Sequence, residues 1–286
     1  MIIDFCVIPP LPETLQSFAN PAGDFAAYNQ LYSKQIELID SLKADPHGGL
    51  IKLMDEGGVD LAVLTAEDAE TTMKMITPNE KVAEFVKRVP NRFIGMAAVD
   101  PHKGMQALKD LEYAVNELEM KALCLEPWLH QLRSNDKRYY PIYAKCVELE
   151  IPVWIHTSVN FVPSLQIDFG RPLHLDEVAG HFPELILVAG HGGWPWVNEM
   201  IAVAWRHQNV LIDISAIRPR YLAKPGSGWE TLMTYGNTVL QDRIVFGTAW
   251  PMQSFKETVD EIRNLPLKES VMQKWLGDNA RRILRI

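Results

Sequence analysis

The order of segments along the chain predicts an α/β protein, a single (β/α)8 barrel spanning residues 1–286. Eight short apolar runs alternate with amphipathic stretches of helical length, the pattern of repeated strand–helix units. Most of the runs are continuously apolar, as strands buried on both faces of a parallel sheet are. The length of 286 residues suits a barrel of roughly 250 residues built as one domain.

Taken in order, the strands are expected at Ile2–Val7, Leu61–Leu64, Phe93–Val99, Ala122–Leu125, Pro152–His156, Leu185–Ala189, Val210–Ile214 and Ile244–Thr248. Glu80–Val89, Met105–Leu118 and Tyr140–Leu149 read as amphipathic helices between them. Thr77-Pro78-Asn79-Glu80 reads as a helix start, with Thr77 as cap, Pro78 at the first helical position and Glu80 completing a capping box. Asp100-Pro101 and Glu126-Pro127 follow strands and bend the chain off the sheet. Residues 11–43, after the first strand, form an insertion too long for an ordinary strand-to-helix connection, helical in its second half. Residues 218–228, after the seventh strand, are rich in Gly and Pro. Both are expected to lie over the C-terminal mouth as lids. No internal repeat, low-complexity tract or domain boundary interrupts the pattern.

Composition narrows the function. The chain is 47% hydrophobic and 22% charged, with net charge −8 and no basic run, so nucleic acid is not an expected partner. Cys6, Cys124 and Cys146 have neither the number nor the spacing of a disulfide framework or a thiolate zinc knuckle. No apolar stretch approaches the roughly 20 residues of a spanning helix, so no membrane is expected. The first residues enter a strand without a basic region or cleavage site, and a cytoplasmic enzyme is the expectation.

Several segments carry a resemblance. They are Glu150-Ile151-Pro152-Val153-Trp154-Ile155-His156-Thr157, Phe182-Pro183-Glu184-Leu185-Ile186-Leu187-Val188-Ala189-Gly190-His191-Gly192-Gly193, Phe246-Gly247-Thr248-Ala249-Trp250-Pro251, and the tail Gly277-Asp278-Asn279-Ala280-Arg281-Arg282-Ile283-Leu284. In this order, each at a strand or helix end, they resemble the amidohydrolase superfamily, in its branch related to aminocarboxymuconate-semialdehyde decarboxylase. The resemblance implies a site at Cys6, Ile8, His156, His191 and Ala249. Metal-bearing members have histidines at the first four positions and, at the fifth, an aspartate that binds metal and handles a proton. Here Cys6, Ile8 and Ala249 replace three of these groups. A tight mononuclear site wants about three protein ligands. The expectation is therefore no tightly bound metal. A rewired Zn, Mn or Fe site would draw on His156, His191, Glu126 and Cys6.

Strand periodicity places Asp4, Cys6 and Ile8 on one face, Cys124 with Glu126, Trp154 with His156, and Leu187 and Ala189 with His191. If these faces point inward, the last residue of each set stands at the rim where barrel enzymes keep their chemistry. His156, His191 and Glu126 are the catalytic candidates. His156 has a bland alternative as a core histidine, and Glu126 as a solvated rim carboxylate. Glu126 becomes an acid or base if Trp128 and the barrel wall desolvate it. His191 precedes two glycines that permit close backbone approach, and Trp196 is expected to open a helix whose N-terminus favours an anion. Cys6 is a nucleophile only if a neighbouring His activates it, and otherwise an apolar filler.

Arg218 and Arg220 fit a fork for a substrate carboxylate, against the plain alternative of two solvated loop cations. Trp128, Trp194, Trp196 and Trp250 all follow strand ends and suggest an aromatic-walled pocket. Asp213 is a candidate holder of an arginine or a histidine. His174 reads as structural, and His47, His102, His130, His181 and His207 as surface or cap residues.

The leading expectation is an enzyme acting on a small carboxylated, cyclic or aromatic substrate. Lactone hydrolysis and decarboxylation are the reactions that the resemblance suggests. Alternatives are a supporting subunit in a complex with a homologous barrel, or a rewired metal-dependent hydrolase or oxygenase. A homo-oligomer is the expected assembly.

Overall fold

A computed structural model describes residues 1–19, 25, 42 and 44–286. The eight barrel strands are β1 (Ile3–Val7), β2 (Leu61–Thr65), β3 (Phe93–Ala98), β4 (Ala122–Leu125), β5 (Val153–His156), β6 (Leu187–Gly190), β7 (Val210–Asp213) and β8 (Ile244–Val245). They pair in parallel in that order. The barrel closes through a bridge from Val7 to Trp250 and a hydrogen bond from the Phe5 N–H to the Phe246 carbonyl at 2.9 Å. A short antiparallel hairpin, Glu67–Ala69 with Met75–Thr77, stands beyond β2.

Two apolar layers follow from the pleat. Val63, Met96, Cys124, Trp154, Val188, Leu211 and Val245 fill the barrel interior. Leu64, Leu123, Ile155, Ala189, Ile212 and Phe246 face outward and pack under the helices. Burial on both faces explains why the strand segments read as unbroken apolar runs.

Several expectations need correction. On β6 it is Val188 that points inward, while Leu187 and Ala189 join the outer layer, so His191 does not share their face. On β1 the register slips between Asp4 and Val7, and Ile3, Phe5 and Cys6 all enter the inner cluster. Simple alternation of Asp4, Cys6 and Ile8 therefore does not hold. Strand β8 is only two residues long, because the backbone from Gly247 onward turns to other partners. Thr77 is not a cap: it ends the hairpin strand, and Pro78 caps the helix Asn79–Arg88 without a side-chain bond.

His130 is not a surface residue. It is 2% exposed, its Nε2 donates to the Asp68 carbonyl at 2.8 Å, and its Nδ1 meets the Tyr139 hydroxyl at 2.8 Å. These bonds fasten the hairpin to the helical turn Pro127–His130 that follows β4. Of the insertion at 11–43, the helix Pro12–Ala19 is described, and the expectation of helix in its second half lies outside the described residues.

Candidate active site

The C-terminal ends of β4, β5, β6 and β7 bring Glu126, His156, His191 and Asp213 into one cluster, the basin of the candidate site, around Cys6. Burial pushes the Cys6 thiol well up, and the carboxyls of Asp213, Asp4 and Glu126 around it push further. A protonated, buried thiol beside three acids suits the filler role.

The imidazoles of His156 and His191 meet edge to face, 4.9 Å between centroids. Trp128 covers the other side of His156 at 5.7 Å, and Trp154 touches both rings, at 6.5 and 5.2 Å. Burial holds His156 well below the usual histidine range, with His191 adding to the effect, so its ring is neutral. Its Nδ1 is buried with no hydrogen-bond partner among the described residues, and its Nε2 lies 3.4 Å from the Ser158 hydroxyl.

His191 reaches the basin by an abrupt turn. Strand β6 ends at Gly190, and His191, Gly192 and Gly193 take φ of 63°, 65° and 75°. The left-handed conformation is costly for a histidine, by about 1–3 kcal/mol, and such positions concentrate at functional sites. Its Nδ1 lies 2.9 Å from the Ser215 hydroxyl and 3.2 Å from the Ser215 carbonyl oxygen. Ser215 in turn donates its hydroxyl to Asp213 Oδ2 in a short bond. The Ser215 N–H donates to Asp213 Oδ1 at 2.8 Å, and the Trp154 indole N–H to Oδ2 at 2.8 Å. Burial lowers His191 and raises Asp213, and the attraction between the two works against both shifts.

Glu126 is the counterpart across the basin. Burial pushes its carboxyl up to about 8, the nearby Glu67 carboxyl adds to this, and the Trp128 bond pulls the other way. That bond runs from the Trp128 indole N–H to Glu126 Oε2 at 2.6 Å. Glu67, on the hairpin, is itself raised to about 7, by burial first and then by Asp68. At neutral pH Glu126 thus holds a proton. Deeper in the seam, burial lifts Asp4 to about 7, although it accepts from Cys6 N–H at 3.1 Å, Thr248 N–H at 3.0 Å and the Thr248 hydroxyl at 2.6 Å.

The structure gathers His156, His191, Glu126 and Trp128 with Cys6 and Asp213, and places Arg218, Arg220, Trp194 and Trp250 elsewhere. Arg218 and Arg220 both pair with Glu261, and Arg218 also with Glu257, on the helix Phe255–Arg263. They line a surface cleft of about 550 Å³ with Leu265 and Asn264. Trp250 is 1% exposed and stacks flat on Phe255 in the outer layer, so it walls no pocket. Trp194 is 41% exposed. Trp196 caps the helix Val197–Arg206, as expected.

Ser215, Glu67 and Thr248 were missed in sequence. Ser215 lies two residues beyond Asp213, and Glu67 two beyond the end of β2, positions that the pleat aims at the rim.

A parallel eight-stranded barrel with histidines and carboxyl groups gathered at its C-terminal strand ends has the architecture of a barrel enzyme. The chain belongs to the amidohydrolase family, whose model matches residues 33–286. Among curated proteins it is similar to gamma-resorcylate decarboxylase of Rhizobium radiobacter, 23% identical over 96% of this chain and 95% of that one. Among solved structures it is similar to an uncharacterized TIM-barrel protein from Bordetella bronchiseptica, with TM-score 0.83, 28% identity, and 99% and 98% of the two chains covered. It is also similar in fold to a dihydroxybenzoic acid decarboxylase from Polaromonas sp. with bound manganese and 2-nitroresorcinol, with TM-score 0.69, 20% identity, and 99% and 96% covered.

The donors here do not fit such an ion. Ile8 and Ala249 bear no ligand atom. His191 Nδ1 and both Asp213 oxygens are committed to the hydrogen bonds above, and the Cys6 thiol keeps its proton. The unpartnered His156 Nδ1 and the bare His191 Nε2 are two nitrogens suited to a metal, short of the about three protein ligands that a tight site wants. Among the described residues no group of three or more His, Cys, Asp or Glu is placed to hold one.

Proposed function

We propose that this chain is a carbon–carbon lyase that decarboxylates a small hydroxylated aromatic acid using its own acid and base groups. The observation that carries the reading is the pairing of Glu126, kept protonated by burial, with a histidine whose Nε2 makes no bond among the described residues. Loss of CO₂ from an aromatic ring needs a proton delivered to the carbon that bears the carboxylate. It is helped by electrons from a neighbouring phenolate.

In the proposed reaction His191 Nε2 takes the proton of an ortho hydroxyl. Glu126 gives its proton to the ring carbon. The bond from ring to carboxylate then breaks, its electrons restore the aromatic ring, and CO₂ leaves. His191 returns its proton to the phenolate oxygen, and Glu126 regains one from water. Acid–base work of this kind contributes about 10²–10⁴-fold. Trp128 supplies a flat wall for a ring. The decarboxylase activity of the relatives supports the reading.

A second reading is favoured by the hydrogen-bonded chain behind His191, which also suits activation of water against a lactone. The test is the purified chain with 2,6-dihydroxybenzoate and related hydroxybenzoates, following CO₂ release, beside a panel of lactones. CO₂ from a hydroxybenzoate supports the first reading. Lactone opening alone overturns it in favour of the second, and neither activity without an added homologous barrel favours a supporting-subunit role. Metal content measured on the active protein tests the independence from a resident ion, and stoichiometric metal would count against it.

A further inference from the structure

We propose that Asp213, acting through the Ser215 hydroxyl, is a positioning residue that fixes the proton of His191 on Nδ1 and leaves Nε2 with a free lone pair. The inference rests on the reading of His191 as the base, and deepens it.

The argument is a count of donors and acceptors. Asp213 is fully buried, and both its oxygens receive donors. Oδ1 takes the Ser215 N–H at 2.8 Å, and Oδ2 takes the Trp154 indole N–H at 2.8 Å together with the Ser215 hydroxyl. A hydroxyl has one hydrogen. Because Asp213 accepts it, Ser215 Oγ has only lone pairs to offer His191 at 2.9 Å. The second neighbour of Nδ1, the Ser215 carbonyl at 3.2 Å, also only accepts. Nδ1 must therefore donate, and in the neutral ring the other nitrogen is bare.

Local packing keeps this arrangement in place. A Cβ on Gly190 would lie 2.3 Å from the Trp154 ring, and one on Gly247 would lie 2.8 Å from Asp213 Oδ1 and from Ser215 Cβ. Both glycines make room for the chain of bonds. The His156 and His191 rings meet edge to face, and among the described residues the contacts of His191 Nδ1 are both with Ser215.

The experiment reads the histidine tautomer by nitrogen-15 NMR of imidazole-labelled protein at mildly alkaline pH, with His191→Gln to assign the signal. Wild type is expected to show Nδ1–H in at least about tenfold excess, equivalent to about 1.4 kcal/mol. In Asp213→Ala the freed Ser215 hydroxyl donates to Nδ1, and the population moves toward Nε2–H by about tenfold or more. Asp213→Ala/Ser215→Ala leaves only the carbonyl beside Nδ1 and is expected to restore Nδ1–H. General damage to the barrel does not predict that reversal.

A wild type that shows Nε2–H overturns the proposal by itself, so it stays falsifiable even if Asp213→Ala does not fold. Retention of Nδ1–H in Asp213→Ala, or no recovery in the double variant, overturns it too. Failure of the wider reading looks different: His191→Ala then leaves turnover unchanged while the tautomer pattern is as described.

Discussion

His156 and His191 stand edge to face, 4.9 Å between ring centroids at 73°, in a pocket where both are drawn below the usual histidine range. A positive charge on either ring is costly to the other. Only His191 has a charge nearby to offset that cost, the Asp213 carboxylate. The two histidines are therefore not equivalent, and the nearby Asp213 charge favours His191 as the proposed base.

The first prediction follows from that difference. His191→Ala is expected to lower kcat/KM by about 10²–10⁴-fold and to remove the acid limb of its pH profile, since neutral His191 is the active form. His156→Ala keeps the acid limb and loses ring packing. The profile of kcat/KM against pH for both variants is the check, and an acid limb that survives His191→Ala sinks the assignment.

Glu126 sets the alkaline side. The reaction needs it protonated, so activity should fall as pH rises through about 8, and Glu126→Gln should lose turnover at every pH. Stability follows the same sign. A carboxyl raised from 4.5 to about 8 contributes fully to the folded state below 4.5 and loses that contribution as pH rises toward 8, because the unfolded chain ionises first. Glu67, raised to about 7, acts in the same direction. Melting temperature should fall between about pH 5 and 8 in wild type and fall less in Glu126→Gln, and equal slopes would refute this.

Asp4 closes the barrel seam. Asp4→Ala strands the N–H groups of Cys6 and Thr248 and is expected to cost about 2–6 kcal/mol, at about 1–3 kcal/mol for each buried group left unpaired. Asp4→Asn retains an oxygen for both N–H groups and an amide that donates to the Thr248 hydroxyl, so its cost should be well under half of that. Urea unfolding of the two variants separates them.

Gly190→Ala is expected to destabilise by about 1–3 kcal/mol, because the added methyl must displace the Trp154 indole. The displaced ring gives up its bond to Asp213, so activity should fall more than a surface glycine change such as Gly226→Ala allows. Unfolding midpoints and initial rates on the same preparations test both parts.

The barrel was legible because its signal is repeated eight times and burial on both faces leaves strands no polar interruption. The rim positions of Glu126 and His156 were legible because their strands run regularly to Leu125 and His156. His191 reaches the rim by a route that strand alternation does not give: Val188, not Ala189, faces inward, and the left-handed turn after Gly190 carries His191 over the rim. Periodicity cannot register such a turn. Arg218 was read as a substrate clamp because loop cations after a barrel strand suit that role, but Glu261 lies 43 positions further on and claims it. Trp250 follows a strand as Trp128 does, yet the early end of β8 sends it outward to Phe255. Partner choice across such distances is a tertiary fact.

The hydrogen bonds between Asp4 and Thr248 join residues 244 positions apart. At synthesis rates of about 5–20 residues per second, a nascent chain waits roughly 10–50 s between making the first of these residues and the second. During that interval β1 lacks one of its two neighbours, and the acid that will become the floor of the seam remains open to water. The seam beneath Cys6 is consequently among the last parts of the molecule to close, and a ribosome stalled before Thr248 holds Glu126, His156 and His191 on a barrel that is still open.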